Sequence, residues 1–201
     1  METTNNLPSL FRSLRTSCHS PLISTAELER LILHDKALEN DTKGYRETIN
    51  IDRNEARNKK RKLPAICPSI QFRRTGRKLE DFGCATGWLM LDYDHVAEIG
   101  LDEKVELASK SPYSMVVYRT ISGKGLRILL RYERPKGCTL TITELHRLAV
   151  DKAISIYDDL LHISADQQCK DMVRLCGLAH DAKAYFCWDS KPLTFTPDEV
   201  D

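Results

Sequence analysis

Apolar positions recur first at helical and then at strand spacing along this chain. Behind the capping-box pattern Ser24-Thr-Ala-Glu27, residues Leu28, Leu31, Ile32 and Leu38 mark one face of an amphipathic helix reaching about Asn40. The basic stretch 52–62 predicts a second helix, ended by Pro64. Residues 63–72, interrupted by Pro64 and Pro68, predict extended chain. From Trp88 onward strands and helices alternate. Trp88-Leu-Met-Leu-Asp-Tyr-Asp94 predicts a strand, 102–110 a helix, and Ser114-Met-Val-Val-Tyr-Arg-Thr120 with Leu126-Arg-Ile-Leu-Leu-Arg-Tyr132 a hairpin around Ile121-Ser-Gly-Lys-Gly125. A second capping box, Thr141-x-x-Glu144, opens a long helix with Leu145, Leu148, Ala149, Lys152, Ala153, Ile156 and Leu160 on one stripe. A short strand is expected at 162–165, running into Asp166, and 194–201 reads as a linker.

Two-residue alternation turns this pattern into chemistry. In a strand Trp88, Met90, Asp92 and Asp94 share a face, so two acids project side by side with Cα atoms roughly 6–7 Å apart. With Asp166 they would make a cage for two Mg²⁺ or Mn²⁺ ions that also bind substrate phosphates. An acidic pair at a solvated strand end is the competing explanation. In Ser122-Gly-Lys-Gly125, Gly123 and Gly125 permit close backbone approach, Ser122 offers a hydroxyl, and Lys124 a point charge suited to phosphate. Turn chemistry alone would also explain the two glycines. Arg127, on the outgoing strand, could reach the same pocket. The spacing is not that of a Walker A loop, and no helix follows. Arg174 could clamp a phosphate, with Asp171 holding Arg174 in place; a local surface ion pair is the plainer reading. His180 and Asp181 suit a solvent-facing turn.

The chain has 201 residues, 41% hydrophobic and 29% charged, which suits one large domain or a compact domain with an N-terminal extension. No apolar run approaches the roughly 18 residues of a membrane span, so no membrane partner is expected, and the absence of a leader pattern suggests a cytoplasmic protein. Seven cysteines without a Cys-x-x-Cys pair read as reduced, mostly buried thiols. Cys169, Cys176, His180 and Cys187 have irregular spacing that suits core positions and a surface histidine better than a structural zinc. The net charge of +1 hides a block over 53–78 with ten basic residues against one acid. Lys59, Lys60, Arg61, Lys62, Arg73 and Arg74 within it are candidate contacts to a polyphosphate backbone, although a solvated helix face would look the same.

The order Asp-x-Asp on a strand, Ser-Gly-x-Gly turn into a strand, then a lone Asp resembles the archaeo-eukaryotic primase, or primase-polymerase, superfamily. More closely, Lys59-Lys-Arg-Lys-Leu-Pro-Ala-Ile-Cys-Pro-Ser-Ile-Gln-Phe72, Leu89-Met-Leu-Asp-Tyr-Asp-His95, Arg119-Thr-Ile-Ser-Gly-Lys-Gly-Leu-Arg127 and Asp171-Met-Val-Arg-Leu-Cys-Gly-Leu-Ala-His-Asp181 resemble the primase-like domain of Bacteroides-type mobile-element proteins, found at the N-terminus of VirE-type helicases. The resemblance spans about 59–188. It implies an α+β fold with an RRM-like antiparallel or mixed sheet packed with helices, and a mainly helical N-terminal portion. The expected organisation is an extension over 1–58, a core over 59–190 and a linker over 191–201.

The resemblance further implies that Asp92, Asp94 and Asp166 hold metal, and that Ser122 and Arg127 contact a nucleoside triphosphate. The expected activity is two-metal nucleotidyl transfer on single-stranded or primed DNA, in replication of a mobile element, with a possible helicase partner. Arg127 stands where the superfamily usually has histidine. It keeps a donor and a permanent charge but cannot titrate near neutral pH. Two alternatives stand beside this reading: a catalytically weak nucleic-acid-binding module that recruits or loads a helicase, and a metal-dependent nuclease.

Overall fold

Four of the longer helices begin where a side chain satisfies an open backbone N–H: Ser24, Asp35, Asp52 and Thr141 stand at their N-caps. The computed structural model describes residues 6–22, 24–73 and 75–200. The N-terminal part runs β1 (Ser9–Phe11), β2 (His19–Pro21), α1 (Thr25–His34), α2 (Lys36–Thr48) and α3 (Arg53–Lys62). Next come β3 (Ala65–Cys67), β4 (Ile70–Phe72), β5 (Phe82–Ala85), β6 (Trp88–Tyr93), α4 (Leu101–Lys110), β7 (Ser114–Arg119) and β8 (Leu126–Arg131). The chain closes with α5 (Ile142–Leu161), β9 (Cys176–Gly177), β10 (Tyr185–Phe186) and α6 (Pro197–Val200). Ser24 caps α1 by accepting from the Glu27 N–H at 3.1 Å, and Thr141 and Glu144 form the expected reciprocal box at the start of α5.

The central sheet has the order β10-β7-β8-β6 with every pairing antiparallel. β6 and β7 flank β8 and are joined through α4, the split β-α-β connectivity expected of an RRM-like sheet. A second antiparallel sheet has the order β2-β1-β3-β9, and β4 pairs with β5. The fold is therefore α+β, and β1 ties the N-terminal segment to β3 of the predicted core region.

Alternation along β6 divides its side chains between two environments. Tyr93 meets α5, donating from its hydroxyl to Asp158 at 2.8 Å, and Leu89 and Leu91 lie fully buried in the same core. Each such buried leucine contributes about 2 kcal/mol by removing apolar surface from water. The opposite face, which carries Asp92, is roofed by the N-terminal helices and the segment after β9. Asp181 donates its N–H to the Ile32 carbonyl at 3.1 Å, His180 its N–H to Thr42 at 3.0 Å, and Trp188 its indole N–H to Glu29 at 3.0 Å.

Four expectations change. The helix expected to run to Asn40 breaks at Asp35, whose carboxylate accepts from the Leu38 N–H at 2.9 Å and starts α2. Residues 162–165 form a turn rather than a strand, because His162 takes a left-handed backbone (φ 54°) that ends α5. The buried side of α5 also includes His146, Val150, Tyr157 and Leu161, one residue further round than the stripe at Lys152, Ile156 and Leu160. Residues 191–200, expected as a linker, pack on the core: Leu193 exchanges backbone hydrogen bonds with Arg131 and Glu133, Glu199 pairs with Lys152 at 2.8 Å, and Val200 is buried. Among the described residues no helix is long and apolar enough to cross a membrane.

Candidate functional site

At the C-terminal end of β6 a cleft of about 350 Å³ opens between the sheet, α2, α3 and the chain before β9. Asp92, Asp94, Ser122, Arg127, Arg174 and Lys60 all contribute to its wall. Five of these six come from stretches of sequence that point to phosphate and metal chemistry, and the sixth from the basic helix.

Asp92 is 6% exposed and sits opposite Arg127 in the β6–β8 register. Arg127 donates to Asp92 Oδ2 at 2.5 Å and to the Gly177 carbonyl at 2.7 Å. Burial alone would lower the Arg127 pKa, but the Asp92 carboxylate prevails and holds it well above the ordinary arginine value. Asp92 Oδ1 and Arg127 Nε remain buried without a hydrogen-bond partner. The Cys169 thiol is pushed up to about 12, by burial and then by the nearby Asp92 carboxylate. Asp94 follows the strand and is exposed.

Asp166 comes next to Asp92 through the backbone, its N–H donating to the Asp92 carbonyl at 2.9 Å. It lies at the free edge of β6, where a further strand would pair, and it is not part of the cleft wall. Its carboxylate is engaged: Oδ2 accepts from Arg174 at 2.6 Å, and Oδ1 from the Gln168 N–H at 2.9 Å. Arg174 is thus held by Asp166 and by Gln168 Oε1 at 2.5 Å, whereas the expected partner, Asp171, accepts from the Val173 N–H. Among the described residues no three His, Cys, Asp or Glu side chains form a group able to hold a metal ion.

The acids nevertheless offer one divalent cation a partial ligand set. Asp92 lines the cleft and its Oδ1 is buried without a hydrogen-bond partner, and Asp94 presents a second carboxylate. Mg²⁺ is commonly held by one or two carboxylates completed by water and phosphate. A second ion using Asp166 would have to displace Arg174.

The Ser122-Gly-Lys-Gly turn is fixed from three sides. The Gly123 N–H donates to the Thr120 carbonyl at 2.8 Å, and the Ser122 hydroxyl accepts from the Lys124 N–H at 3.2 Å. The Lys124 carbonyl accepts from the N–H groups of Val96 and Ala97 at 2.7 and 3.0 Å, which ties the turn to the chain just after Asp94. Gly125 is required by close approach, since a Cβ there would lie 2.6 Å from the Tyr93 carbonyl oxygen. From α2, Arg46 donates to the carbonyls of Ile121 at 3.0 Å and Thr120 at 3.4 Å. Nothing in the spacing around Arg46 marks it, because its partners are more than seventy residues away.

The remaining candidates separate from the cleft. Lys124 is exposed and, like Gly123 and Gly125, is not part of the wall. Lys59, Lys60, Arg61 and Lys62 form the last turn of α3, where cations suit the helix dipole; Lys60 alone of the four reaches the cleft wall, and all but Lys59, which reaches Glu55 at 3.6 Å, are exposed. Arg73 is exposed at the end of β4, away from the cleft wall, and Arg74 lies outside the described residues. Asp181, expected at a solvent-facing turn, is 8% exposed and grips Arg119 through its backbone N–H at 2.9 Å and its guanidinium at 3.2 Å. Arg119 also reaches Asp102 at 2.6 Å, so the pair pins the segment after β9 across the sheet.

Residues 58–186 match the family described as BT4734-like, N-terminal domain. The match includes β6, β7, β8 and α5 and leaves out α1, α2 and Arg46. No curated protein and no solved structure matches the chain.

Proposed function

The chain belongs to the BT4734-like N-terminal domain family, and on that premise we propose that it is a primase-polymerase-like domain that binds a nucleoside triphosphate with Mg²⁺ or Mn²⁺ and transfers nucleotides on DNA. One observation carries this reading: Asp92, Asp94, Ser122, Arg127 and Arg174, drawn from three separate motifs, meet in a single cleft beside Lys60 of a fourth. Acids that hold a cation, a hydroxyl in a constrained turn and two guanidinium groups are the parts a polyphosphate requires.

In this reading Asp92 and Asp94 hold the cation and Arg127 and Arg174 clamp the phosphates. The turn at Ser122 sets the height of the triphosphate above the sheet. The cation supplies charge neutralisation at the phosphates and lowers the pKa of the attacking hydroxyl. The exposed basic turn of α3 leads nucleic acid to the mouth of the cleft through Lys60. Membership of a mobile-element replication system with a VirE-type helicase belongs to the same proposal and rests on the motif resemblance.

A second reading, a weakly catalytic module that binds DNA and loads a helicase, is favoured by one feature. Two carboxylates of the expected cage are taken by arginine, Asp92 by Arg127 and Asp166 by Arg174. Incorporation of labelled nucleotides on a primed DNA template with Mg²⁺ or Mn²⁺ decides between them. Incorporation lost in Asp92→Ala/Asp94→Ala supports the transferase, whereas tight DNA binding by folded protein with no incorporation selects the module.

A further inference from the structure

Two carboxylate–guanidinium pairs border the cleft: Asp92, Arg127 and Arg174 line its wall, and Asp166, outside the wall, holds Arg174. Arg127 and Asp92 are 12% and 8% exposed in their side chains, and Arg174 and Asp166 are 26% and 27% exposed. In each pair the carboxylate is a ligand suited to a hard cation and the guanidinium is a ligand suited to phosphate. The inner pair is also incomplete, because Asp92 Oδ1 and Arg127 Nε are buried and unpartnered. Buried polar atoms are usually matched, so spare bonding capacity in both members of one cleft-lining pair leaves room for a ligand to supply partners.

We propose that a cation–polyphosphate ligand enters by exchange: the cation replaces Arg127 at Asp92 while the phosphates take Arg127 and Arg174 from Asp92 and Asp166. This rests on the reading of the cleft given above and adds a rule for its occupancy. A lone cation approaching Asp92 meets the charge of Arg127, and a lone polyphosphate approaching the arginines meets Asp92, Asp94 and Asp166. Together they exchange partners at the inner pair without leaving its buried charges uncompensated, and Asp166, 27% exposed, is left to solvent, so each ligand strengthens the binding of the other by the same factor. The internal ion pairs act as a lock that only the combined ligand opens.

The rule makes a prediction that simple metal binding does not. Removing a carboxylate from a pair frees its arginine, so it should strengthen binding of polyphosphate in the absence of metal. The probes are ATP with chelator, Mn²⁺ alone, and ATP with Mn²⁺, measured by calorimetry and by the spin-resonance signal of free Mn²⁺. Wild-type protein should bind ATP with Mn²⁺ about tenfold or more tightly than ATP with chelator. Asp166→Asn and Asp92→Asn should each bind metal-free ATP about tenfold more tightly than wild type, and Arg127→Gln should bind Mn²⁺ alone more tightly.

Asp94→Asn is the control, since Asp94 lines the cleft but holds no arginine among the described residues. It removes the same charge and should tighten metal-free ATP by under about threefold. If Asp94→Asn matches Asp166→Asn, ordinary charge repulsion accounts for the effect and the exchange is overturned while the nucleotide reading stands. If wild-type protein binds ATP under none of these conditions, both fail together. Asp166→Asn alters only the more exposed pair, so the test survives even if Asp92→Asn does not fold.

Discussion

Asp92 and Arg127 face each other across β6 and β8 as direct register partners, with carboxylate and guanidinium 2.5 Å apart and both nearly removed from solvent. A buried pair of this kind adds little net stability, because desolvation consumes most of the Coulomb gain, yet breaking it leaves a charge with no partner. Arg127→Leu is therefore expected to destabilise the fold by about 3–5 kcal/mol, and Asp92→Leu/Arg127→Leu to recover most of that loss. Urea unfolding of the two single variants and the double variant measures the coupling. Strictly additive losses would show that the two charges do not depend on each other.

The turn that carries Ser122 is set by a steric requirement at Gly125. A methyl group there would stand 2.6 Å from the Tyr93 carbonyl, a backbone atom that cannot move without disturbing β6 next to Asp92. Gly125→Ala should cost about 1–3 kcal/mol and weaken ATP binding as well. Gly137→Ala provides the contrast: nothing lies within 4 Å of its Cβ position, and only the positive φ of 85° opposes it. It should cost about 1 kcal/mol and leave ATP affinity unchanged. Thermal melts and calorimetry on both variants check the comparison.

The elements with strong periodicity were legible in the sequence: β6, α4, β7, β8 and α5 occur close to where apolar spacing and capping residues predict them. The basic helix and the extended chain around Pro64 and Pro68 are also found. α2 was only partly visible, because its sequence is polar on most sides and contains Gly44, so its identity as a separate helix depends on Asp35 and on docking against the sheet. The supposed strand before Asp166 failed for the opposite reason: four residues of mixed polarity carry too little pattern to distinguish a strand from a turn. The convergence of Asp92, Asp94, Ser122, Arg127 and Arg174 follows the order of motifs. The partners of the acids do not, since the pairing of Asp166 with Arg174 and of Arg46 with the Ser122 turn is set by tertiary approach.

Arg46 lies outside the family match but braces the turn, so it should act as a positioning residue. Arg46→Met keeps much of the aliphatic packing and removes the hydrogen bonds to Thr120 and Ile121. The expected result is a loss of about threefold to tenfold in ATP affinity, in line with one or two hydrogen bonds, with little change in melting temperature. An unchanged affinity would show that the turn holds its shape without α2.

The last turn of α3 offers a direct reading of nucleic-acid contact. Lys60, Arg61 and Lys62 are exposed together, and Lys60 also lines the cleft. If they neutralise phosphates of single-stranded DNA, each Ala replacement should lower the slope of log affinity against log salt by about 0.7, with little dependence on DNA sequence. Fluorescence anisotropy across a salt series measures this slope. Equal slopes for wild type and the triple variant would assign the basic turn to solvation alone.

His146 gives the fold a defined weakness toward acid. It is 1% exposed on α5, with its ring nitrogens near the Ser69 hydroxyl at 3.5 Å and the Tyr132 hydroxyl at 3.4 Å. Burial pulls its pKa down to about 4, although Asp171 acts in the opposite direction. Between that value and the ordinary 6.5, the unfolded chain takes up a proton that the folded chain refuses, so stability falls as the pH falls. Above the upper value the imidazole is neutral in both states and contributes nothing to the pH dependence. The full effect amounts to about 3 kcal/mol, accumulated at about 1.4 kcal/mol per pH unit. His146→Gln keeps a polar side chain that does not titrate, so the stability gap between wild type and variant should shift steadily in favour of the variant as the pH is lowered through this window. Urea midpoints for both proteins at about pH 4.5, 5.5, 6.5 and 7.5 measure that gap and subtract the carboxylates, which titrate alike in the two. A gap that does not change with pH would mean that the imidazole gains its proton in the folded protein as easily as in water, and the buried neutral state would have to be abandoned.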